Sequence, residues 1–393
     1  MPGPTLLLPR LLVPVRPRLH VLEQMAVVVE GEFITAVMPR SMALERYKDS
    51  RRIELPEHVL VPGFINMHTH SAMSLLRGYA DDLNLQVWLN DHIWPVEKAF
   101  LSPGFVHDGA KLAMAEMLRG GTTCFNDLYF FPEVTAAAAV ETGIRACIGL
   151  PVINVPTIWA ANEDEYIEKG LEVSASWQGE DLVTTLFAPH APYSVGDSAL
   201  HRIADLSESR DMRIHMHVLE SNWEISESVR QHGKPTLDRL NDVGLLNERL
   251  LAVHMTQLNG TDLEALARTS VNVIHCPESN LKLGNGICPV ARLLEHDINL
   301  ALGTDGAASN NNLDILAEAR SAALLAKGYA ADPCVLDAFQ TLEALTINAA
   351  RALGKESLLG SVEAGKLADL CAIRLDSLQT TPIYDVVSHL VYA

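Results

Sequence analysis

Short runs of apolar and β-branched residues recur eight times along the chain, and stretches with helical periodicity separate most of them. Alternating strands and helices are typical of parallel βα units, because two parallel strands need a long crossover connection. An open doubly wound sheet more often carries a glycine-rich phosphate loop after its first strand, whereas the first run here ends in residues 66–70, NMHTH. The pattern therefore predicts an α/β fold with a TIM (β/α)8 barrel. Its strands are expected at 59–70, 122–127, 145–153, 182–190, 213–220, 250–255, 271–276 and 299–305.

The two ends of the chain differ from this pattern. Residues 26–37 (AVVVEGEFITAV) predict two strands around a tight turn at Glu30-Gly31-Glu32, and 360–374 contain turn residues followed by a strand. We expect the two ends to meet in one small β-sandwich-like domain beside the barrel. Residues 1–57 and 355–393 are assigned to that domain, and residues 58–354 to the barrel.

Charge and composition exclude several classes of protein. The net charge is −19 and no basic block is present, so nucleic-acid binding is not expected. No segment reaches the roughly 18 consecutive apolar residues of a membrane span, and the proline-broken residues 1–14 lack the features of a signal peptide. The six cysteines lie far apart with no C-x-x-C pair, as expected of reduced thiols in a cytoplasmic protein.

Histidines cluster where the predicted strands end, which is where TIM barrels carry their catalytic groups. His68 and His70 are two residues apart, so both side chains leave the strand on one face. The fifth run contributes His217, the sixth ends near His254, and the eighth ends at Asp305. Three imidazoles and one carboxylate that leave a position free for water are typical of a catalytic metal site. The predicted ligands are His68, His70, His217 and Asp305.

Each of these signals is weak alone. A lone H-x-H is more often a pair of ordinary histidines, and an isolated G-T-D-G is more often a turn. A metal site is favoured because these histidines and Asp305 occur together at the ends of predicted strands one, five, six and eight. His215 shares a face with His217; we choose His217 because Glu220 follows three residues later, and we expect a structural or supporting role for His215.

Five segments then resemble a known family: PGFINMHTH at 62–70, HMHVLE at 215–220, VHMTQL at 253–258, HCPESNLKLGNG at 275–286 and LGTDGAASNNN at 302–312. They are similar to the amidohydrolase superfamily and, within it, to the 5′-methylthioadenosine/S-adenosylhomocysteine deaminases. The resemblance spans roughly 55–375. SNLKLGNG together with GTDGAASNN is more specific to this deaminase branch and its near relatives. The resemblance implies hydrolytic deamination of an adenine nucleoside to its inosine analogue and ammonia by a metal-activated hydroxide.

The number of metals follows from a missing residue. Two-metal members carry a bridging lysine at the end of the fourth strand, whereas this chain has APHAPYS at 188–194, with His190 and no lysine. We therefore expect one divalent metal in each subunit, zinc first, although iron and manganese also suit these ligands.

The resemblance also assigns catalytic roles. Asp305 acts as both ligand and base, and His254 shares in taking the proton from water. Glu220 protonates the ring nitrogen beside the attacked carbon, since an aromatic ring resists attack unless a nitrogen is protonated. The alternative for Glu220 is a cap of the next helix.

Four further residues are implied as substrate contacts. Trp88 and Glu97 lie in the loop after the first strand with the family's nine-residue spacing; Glu97 accepts hydrogen bonds from ribose hydroxyls and Trp88 packs near the sugar. His190 lies near the purine and Ser309 near the 5′ group. The alternatives are a packed loop aromatic for Trp88 and a solvated carboxylate at a helix start for Glu97.

Two departures from the family bear on the substrate and the small domain. Some members use arginines after the third strand to hold the homocysteine carboxylate, but none lies between Arg145 and Arg202 here. Methylthioadenosine or adenosine is therefore expected before S-adenosylhomocysteine, unless Arg77 or a partner subunit supplies the cation. The chain ends at SHLVYA, so the C-terminal part of the small domain is expected to be truncated or abbreviated. A homodimer or higher homo-oligomer is a further expectation from the family.

Two rival functions stay open at this point. The chain could be a deaminase or chlorohydrolase of another heterocycle such as guanine or a triazine, although Glu97 favours a ribosyl substrate. It could also be a non-catalytic amidohydrolase-like scaffold, but such a protein is expected to have lost metal ligands, and here all four are present.

Overall fold

A computed structural model describes residues 3–393, which form two sheets and the helices around them. The strands are β1 (Thr5–Leu12), β2 (Leu22–Glu23), β3 (Met25–Glu30), β4 (Phe33–Pro39), β5 (Arg51–Pro62), β6 (Phe64–Thr69), β7 (Thr122–Leu128), β8 (Arg145–Val152), β9 (Val183–Pro189), β10 (Ile214–Val218), β11 (Leu250–His254), β12 (Asn272–His275), β13 (Leu300–Leu302) and β14 (Leu370–Arg374).

The helices lie mainly between the strands of the second sheet. They are α1 (Arg40–Arg46), α2 (Leu85–Val87), α3 (Trp94–Phe100), α4 (Pro103–Arg119), α5 (Pro132–Thr142), α6 (Glu163–Ser176), α7 (Asp197–Arg210), α8 (Asn222–His232), α9 (Thr236–Asp242), α10 (Gly260–Thr269), α11 (Pro277–Lys282), α12 (Val290–Glu295), α13 (Ile315–Ala330), α14 (Ala338–Leu345), α15 (Ile347–Ala352) and α16 (Val386–Tyr392). Single 3₁₀ or π turns cover Ser71–Leu76, Trp88–Ile93 and Pro192–Ser194. Within residues 3–393, no helix combines the length and apolar character needed to cross a membrane.

The second sheet is the predicted barrel. Its eight strands, β6 to β13, pair in parallel in chain order. The last strand returns to the first, because the Asp305 N–H donates to the His68 carbonyl at 2.9 Å and the Thr304 N–H donates to Asn66 Oδ1 at 3.0 Å. The predicted TIM barrel is therefore confirmed, and its closing contact lies between two of the predicted site residues.

The first predicted strand, 59–70, is in fact two strands in two sheets. β5 ends at Pro62 in the sheet of the chain ends, and β6 begins at Phe64 in the barrel. Gly63 joins them and donates its N–H to the Asp369 carbonyl at 2.8 Å. A Cβ there would lie 2.0 Å from Thr123 Oγ1, so the crossing is too tight for a side chain. The last four residues of β5 and all of β6 are buried, and this apolar run therefore gave no sign of the break.

The first sheet brings the two chain ends together. Its order is β14-β5-β1-β3-β4, with β2 paired to β1. β3 and β4 form the predicted hairpin, with Gly31 in the left-handed region at φ 62°, and β14 pairs antiparallel with β5. The predicted sheet from both ends is thus present. The exact domain boundaries, at 57/58 and 354/355, stay a prediction, and β5 runs across the first of them.

One buried ion pair joins the two sheets at the end of the barrel opposite the site. Arg145, the first residue of β8, donates from Nε to Asp369 Oδ2 at 2.9 Å, just before β14. Its Nη1 also donates to the Asp181 carbonyl at 2.5 Å. Arg145 therefore holds the two sheets together and does not face the barrel mouth.

Candidate active site

The four predicted metal ligands meet at the carboxyl ends of the barrel strands. Nε2 of His68 and Nε2 of His70 each lie 3.3 Å from Asp305 Oδ1. Nε2 of His217 lies 3.3 Å from Nε2 of His70. Strands β6, β10 and β13 are far apart in sequence, and only closure of the barrel brings these side chains to one point. The nitrogen His68 Nε2 is buried with no hydrogen-bond partner among the described residues.

Each of the three imidazoles is fixed from behind through its Nδ1 atom. This leaves every Nε2 turned to the common centre, and second contacts of this kind set ring orientation in metal sites. Burial also lowers the pKa of His68 to about 4 and that of His217 well below its usual value, which favours the neutral form of these two rings. The contacts are His68 Nδ1 to His215 Nε2 (2.9 Å), His70 Nδ1 to the Leu128 carbonyl (2.5 Å) and His217 Nδ1 to the His190 carbonyl (2.6 Å).

His215 and His217 occupy different positions relative to the cluster. His217 points into the cavity, whereas His215 lies behind His68 and is fully buried. Both belong to β10 and share a face, as the period of a strand requires. His215 therefore touches the cluster only through the ring of His68.

Asp305 and His254 both occupy strained backbone positions. Their φ angles are 63° and 76°, in the left-handed region that residues with a side chain rarely adopt. Asp305 Oδ2 accepts a 2.6 Å hydrogen bond from Ser279 Oγ, and Oδ1 accepts one of 2.7 Å from the Gly306 N–H. His254 Nδ1 lies 2.8 Å from Asn280 Oδ1. Backbone and side-chain contacts together aim both groups at the same cavity.

Glu220 lies across the cavity from Asp305. Its Oε1 accepts a 2.9 Å hydrogen bond from Asn285 Nδ2 and lies 3.8 Å from His254 Nε2. Burial, with repulsion from Asp305, raises the pKa of Glu220 to about 8, so the group holds a proton at neutral pH. It does not cap the next helix: the carboxylate that accepts the Leu219 and Glu220 N–H groups belongs to Glu224.

One cavity opens over this cluster. It is lined by His70, His217, Asp305, Glu220 and His254, and also by all four predicted substrate contacts, Trp88, Glu97, His190 and Ser309. Its other walls are apolar or aromatic, which is usual for a site that takes a small organic molecule. They include Met73, Leu85, Leu89, Ile93, Trp94, Phe130, Val152, Ile153, Tyr193 and Leu283.

Glu97 is buried inside this cavity rather than solvated at the start of a helix. It lies in the first turn of α3 with 8% of its surface exposed. The hydroxyl of Tyr129 donates a 2.6 Å hydrogen bond to its Oε1. Burial raises the pKa of Glu97 to about 6, although the Tyr129 bond opposes the rise. Trp88 is also buried, and its Nε1 has no partner among the described residues.

Positive side chains are absent from the described wall of the cavity, where no arginine or lysine occurs. Arg77, named above as a substitute for the missing arginines, contacts other groups of the protein. It pairs with Glu116 and donates to the Asn311 carbonyl at 2.7 Å. A carboxylate entering this cavity would therefore meet no arginine or lysine among the described residues of its wall.

Several contributors were missed by sequence reasoning. Tyr129 follows the end of β7 and holds Glu97, while Tyr193 lines the cavity beside His190. Ser279, Asn280 and Asn285 lie in SNLKLGNG, which served only to recognise the family. The usable signal was their position after the seventh barrel strand, because every segment that follows such a strand faces the barrel mouth.

Comparison with known proteins decides the family. The profile of the Amidohydrolase family matches residues 59–391, which is most of the chain. The chain belongs to the amidohydrolase family. The predicted family is thereby confirmed, and so is the prediction of a metal-dependent hydrolytic enzyme rather than a scaffold.

Individual relatives of this amidohydrolase are similar along nearly its whole length. A 5-methylthioadenosine/S-adenosylhomocysteine deaminase of Teredinibacter turnerae is 46% identical over 381 residues, covering 97% of this chain and 86% of that protein. The crystal structure of an adenosine deaminase from Xanthomonas campestris with bound zinc has a TM-score of 0.98 and 48% identity, covering 100% of this chain and 89% of that one. A triazine hydrolase from Arthrobacter aurescens has a TM-score of 0.90 at 23% identity, covering 99% and 90%, and shares the fold.

Proposed function

We propose that this amidohydrolase removes the 6-amino group of an adenine nucleoside by hydrolysis, releasing the inosine analogue and ammonia. The observation that carries the proposal is that buried Glu220 and the histidine and aspartate cluster line one cavity. Ring deamination needs a proton donor for a ring nitrogen on one side and a hydrolytic centre on the other. The names of relatives more than 40% identical over most of the chain support an adenine nucleoside as substrate.

The ligands of a single divalent metal, in this proposal, are His68, His70, His217 and Asp305. Their donor atoms lie 3.3 Å apart in the pairs given above, close enough for one ion to contact all four. The unpartnered Nε2 of buried His68 also fits a ligand of this kind. Zinc suits three imidazoles and a carboxylate, although iron and manganese accept the same donors. Such an ion, when bound, lowers the pKa of a coordinated water toward about 7.

The residues of the chain would then move the protons. His254, through Nε2, and Asp305 accept the proton of the attacking water, while Glu220 donates its own to the ring nitrogen beside C6. One C–O bond forms at C6, and the proton held by His254 or Asp305 passes to the exocyclic amine, so that the C–N bond breaks. As the C6 carbonyl forms, its hydroxyl proton returns to Glu220. Water is consumed and ammonia leaves, so the chain returns to its starting protonation state.

The sugar and the 5′ substituent are assigned to the other residues of the cavity. Glu97, held by Tyr129, accepts hydrogen bonds from the ribose hydroxyls. Trp88 packs on the sugar, His190 lies near the purine and Ser309 near the 5′ group. Because no arginine or lysine lies among the described residues of the wall, a homocysteine carboxylate would be buried without a partner. An unpaired buried charge of this kind costs on the order of several kcal/mol. Methylthioadenosine or adenosine is therefore the proposed substrate, ahead of S-adenosylhomocysteine.

The rival within the family is a deaminase or chlorohydrolase of a free heterocycle such as guanine or a triazine. Glu97 and Tyr129 favour a ribosyl substrate, because a bare ring offers no hydroxyls to a buried carboxylate. The test is ammonia release from methylthioadenosine, adenosine, S-adenosylhomocysteine, guanine and melamine at equal concentration. Turnover of the nucleosides alone supports the proposal, and turnover restricted to the free rings would overturn it.

Two properties expected from the sequence stay predictions: a homodimer or higher homo-oligomer, and a cytoplasmic location.

A further inference from the structure

One short segment after β12 touches three groups of the active site at once. It comprises α11 and the turn that follows, residues 277–286, or PESNLKLGNG. Its polar side chains at 279, 280 and 285 are all buried. Each of them makes a hydrogen bond with a residue assigned to the chemistry, and each of those residues comes from a different barrel strand or the loop after it.

The first contact concerns the ring of His254. Asn280 Oδ1 lies 2.8 Å from His254 Nδ1 inside the protein. When the carbonyl oxygen accepts the Nδ1 proton, Nε2 carries the lone pair and faces Glu220 in the cavity. This is the tautomer that a proton acceptor needs.

The second and third contacts concern the two carboxyl groups. Ser279 Oγ donates to Asp305 Oδ2 at 2.6 Å, and Asn285 Nδ2 donates to Glu220 Oε1 at 2.9 Å. Asn285 reaches Glu220 because the chain turns sharply around it, with Gly286 at φ +116°. A Cβ at Gly286 would lie 2.7 Å from Gln257 Nε2, and that amide bonds the Asn285 carbonyl at 2.5 Å.

The segment is itself anchored from outside the cavity. The Glu278 N–H, at the start of α11, donates to Glu318 Oε1 at 3.0 Å. Glu318 is fully buried in α13, and its Oε2 accepts a 2.9 Å hydrogen bond from Asn310 Nδ2, next to Ser309. The segment after β12 and the loop after β13 are therefore tied to one buried carboxyl group.

We propose that Ser279, Asn280 and Asn285 are positioning residues that fix Asp305, His254 and Glu220 for the proton transfers of deamination. The proposal rests on the proposed function, since the three target groups have their roles from it. Among the described residues, no hydrogen bond joins the segment to Glu97 or Trp88, so its effect is expected on turnover rather than on nucleoside affinity. Loss of supporting contacts of this kind typically reduces activity about 10- to 100-fold.

The decisive experiment is a double-mutant cycle between Asn280→Ala and His254→Ala on the zinc-loaded full chain with adenosine. Alone, Asn280→Ala lowers kcat about 10- to 100-fold, with KM changed less than about threefold and the zinc content unchanged. In the His254→Ala background the same change lowers kcat less than about threefold, because the group it positions is gone. Additive losses in the two backgrounds would overturn the proposal.

Two further variants separate positioning from folding. Asn280→Asp keeps an acceptor for His254 Nδ1 and offers no donor, so its kcat should be about tenfold higher than that of Asn280→Ala. Equal kcat values in the two variants would contradict the proposal. Asn272→Ala is the matched control. It lies at the opposite end of β12, its side chain bonds the Glu248 carbonyl and Asn299, and the change should leave kcat unchanged. An equal loss of kcat in this control would mean that the effect is one of general stability.

The outcomes also distinguish this proposal from the proposed function. If the wild-type enzyme deaminates no adenine nucleoside, the proposed function fails, and the positioning roles fail with it. If the wild type is active but Asn280→Ala and Asn285→Ala both keep full kcat, the deaminase assignment stands and only the positioning roles are wrong.

Discussion

Tyr129 and Glu97 form a buried pair 2.6 Å apart, with the phenol donating to the carboxylate inside the cavity. One oxygen of Glu97 is thus occupied by the protein, and the other is free for a ligand. The pair joins the residue after β7 to α3 by a side-chain hydrogen bond.

Tyr129→Phe is expected to weaken nucleoside binding without slowing the chemistry. A hydrogen bond to a charged group contributes about 1.5–3 kcal/mol, so KM for adenosine should rise roughly 10- to 100-fold while kcat changes little. The matched measurement uses 2′,3′-dideoxyadenosine, which has no hydroxyls for Glu97. Equal losses for both nucleosides would contradict a role of this pair in ribose binding.

Glu220→Gln should remove deamination and leave the metal in place. The amide keeps the shape of the side chain and its contact with Asn285 but has no acidic proton to give the ring nitrogen, so kcat should fall at least about 10³-fold. Zinc analysis of the same sample should still find one ion per chain. A variant with near wild-type turnover would show that the proton comes from elsewhere.

His215→Ala and His217→Ala form a matched pair two residues apart on β10. His217→Ala removes a proposed ligand and should abolish stoichiometric zinc. His215→Ala removes only the contact behind His68, so zinc should still bind, with affinity reduced about 10- to 100-fold. Metal content after dialysis against a graded chelator series measures both. The reverse order of metal loss would exchange the two assignments.

The pH profile should fall on both sides for different reasons. Glu220 acts in its protonated form, and because burial raises its pKa to about 8, kcat/KM should decline as the pH rises above that value. Glu97 binds ribose as a carboxylate with a pKa raised by burial to about 6, so KM for adenosine should increase below it. Steady-state kinetics from pH 5 to 9.5 test both limbs. If the residual activity of Glu220→Gln declines above pH 8 as it does in the wild type, Glu220 is not the cause of that decline.

Much of the fold followed from local patterns. β8 to β13 lie within the predicted runs and β7 extends one residue beyond its run, because each is a short buried strand flanked by helix signals. The period of two in a strand was enough to put His68 and His70 on one face. The break at Gly63 was invisible, since the residues on both sides are buried and apolar although they belong to different sheets.

The supporting contacts were out of reach for another reason. Asn280 and His254 are 26 positions apart, and Asn285 and Glu220 are 65 apart. Nothing local distinguishes a buried asparagine that orients a histidine from one that ends a helix. Tyr129 was hidden in the same way, because its partner lies in an irregular segment made of α2, a π turn and α3.

The sequence by itself determined the barrel and placed His68, His70, Asp305 and the proposed acid Glu220 at its strand ends, because these depend on residue type and on strand periodicity. Only the tertiary structure decided which histidine of β10 faces the centre, that Glu97 is buried against Tyr129, and that Arg77 and Arg145 are both committed to other partners. Those outcomes depend on burial and on hydrogen bonds between distant segments, and both exist only after the last strand has closed on the first.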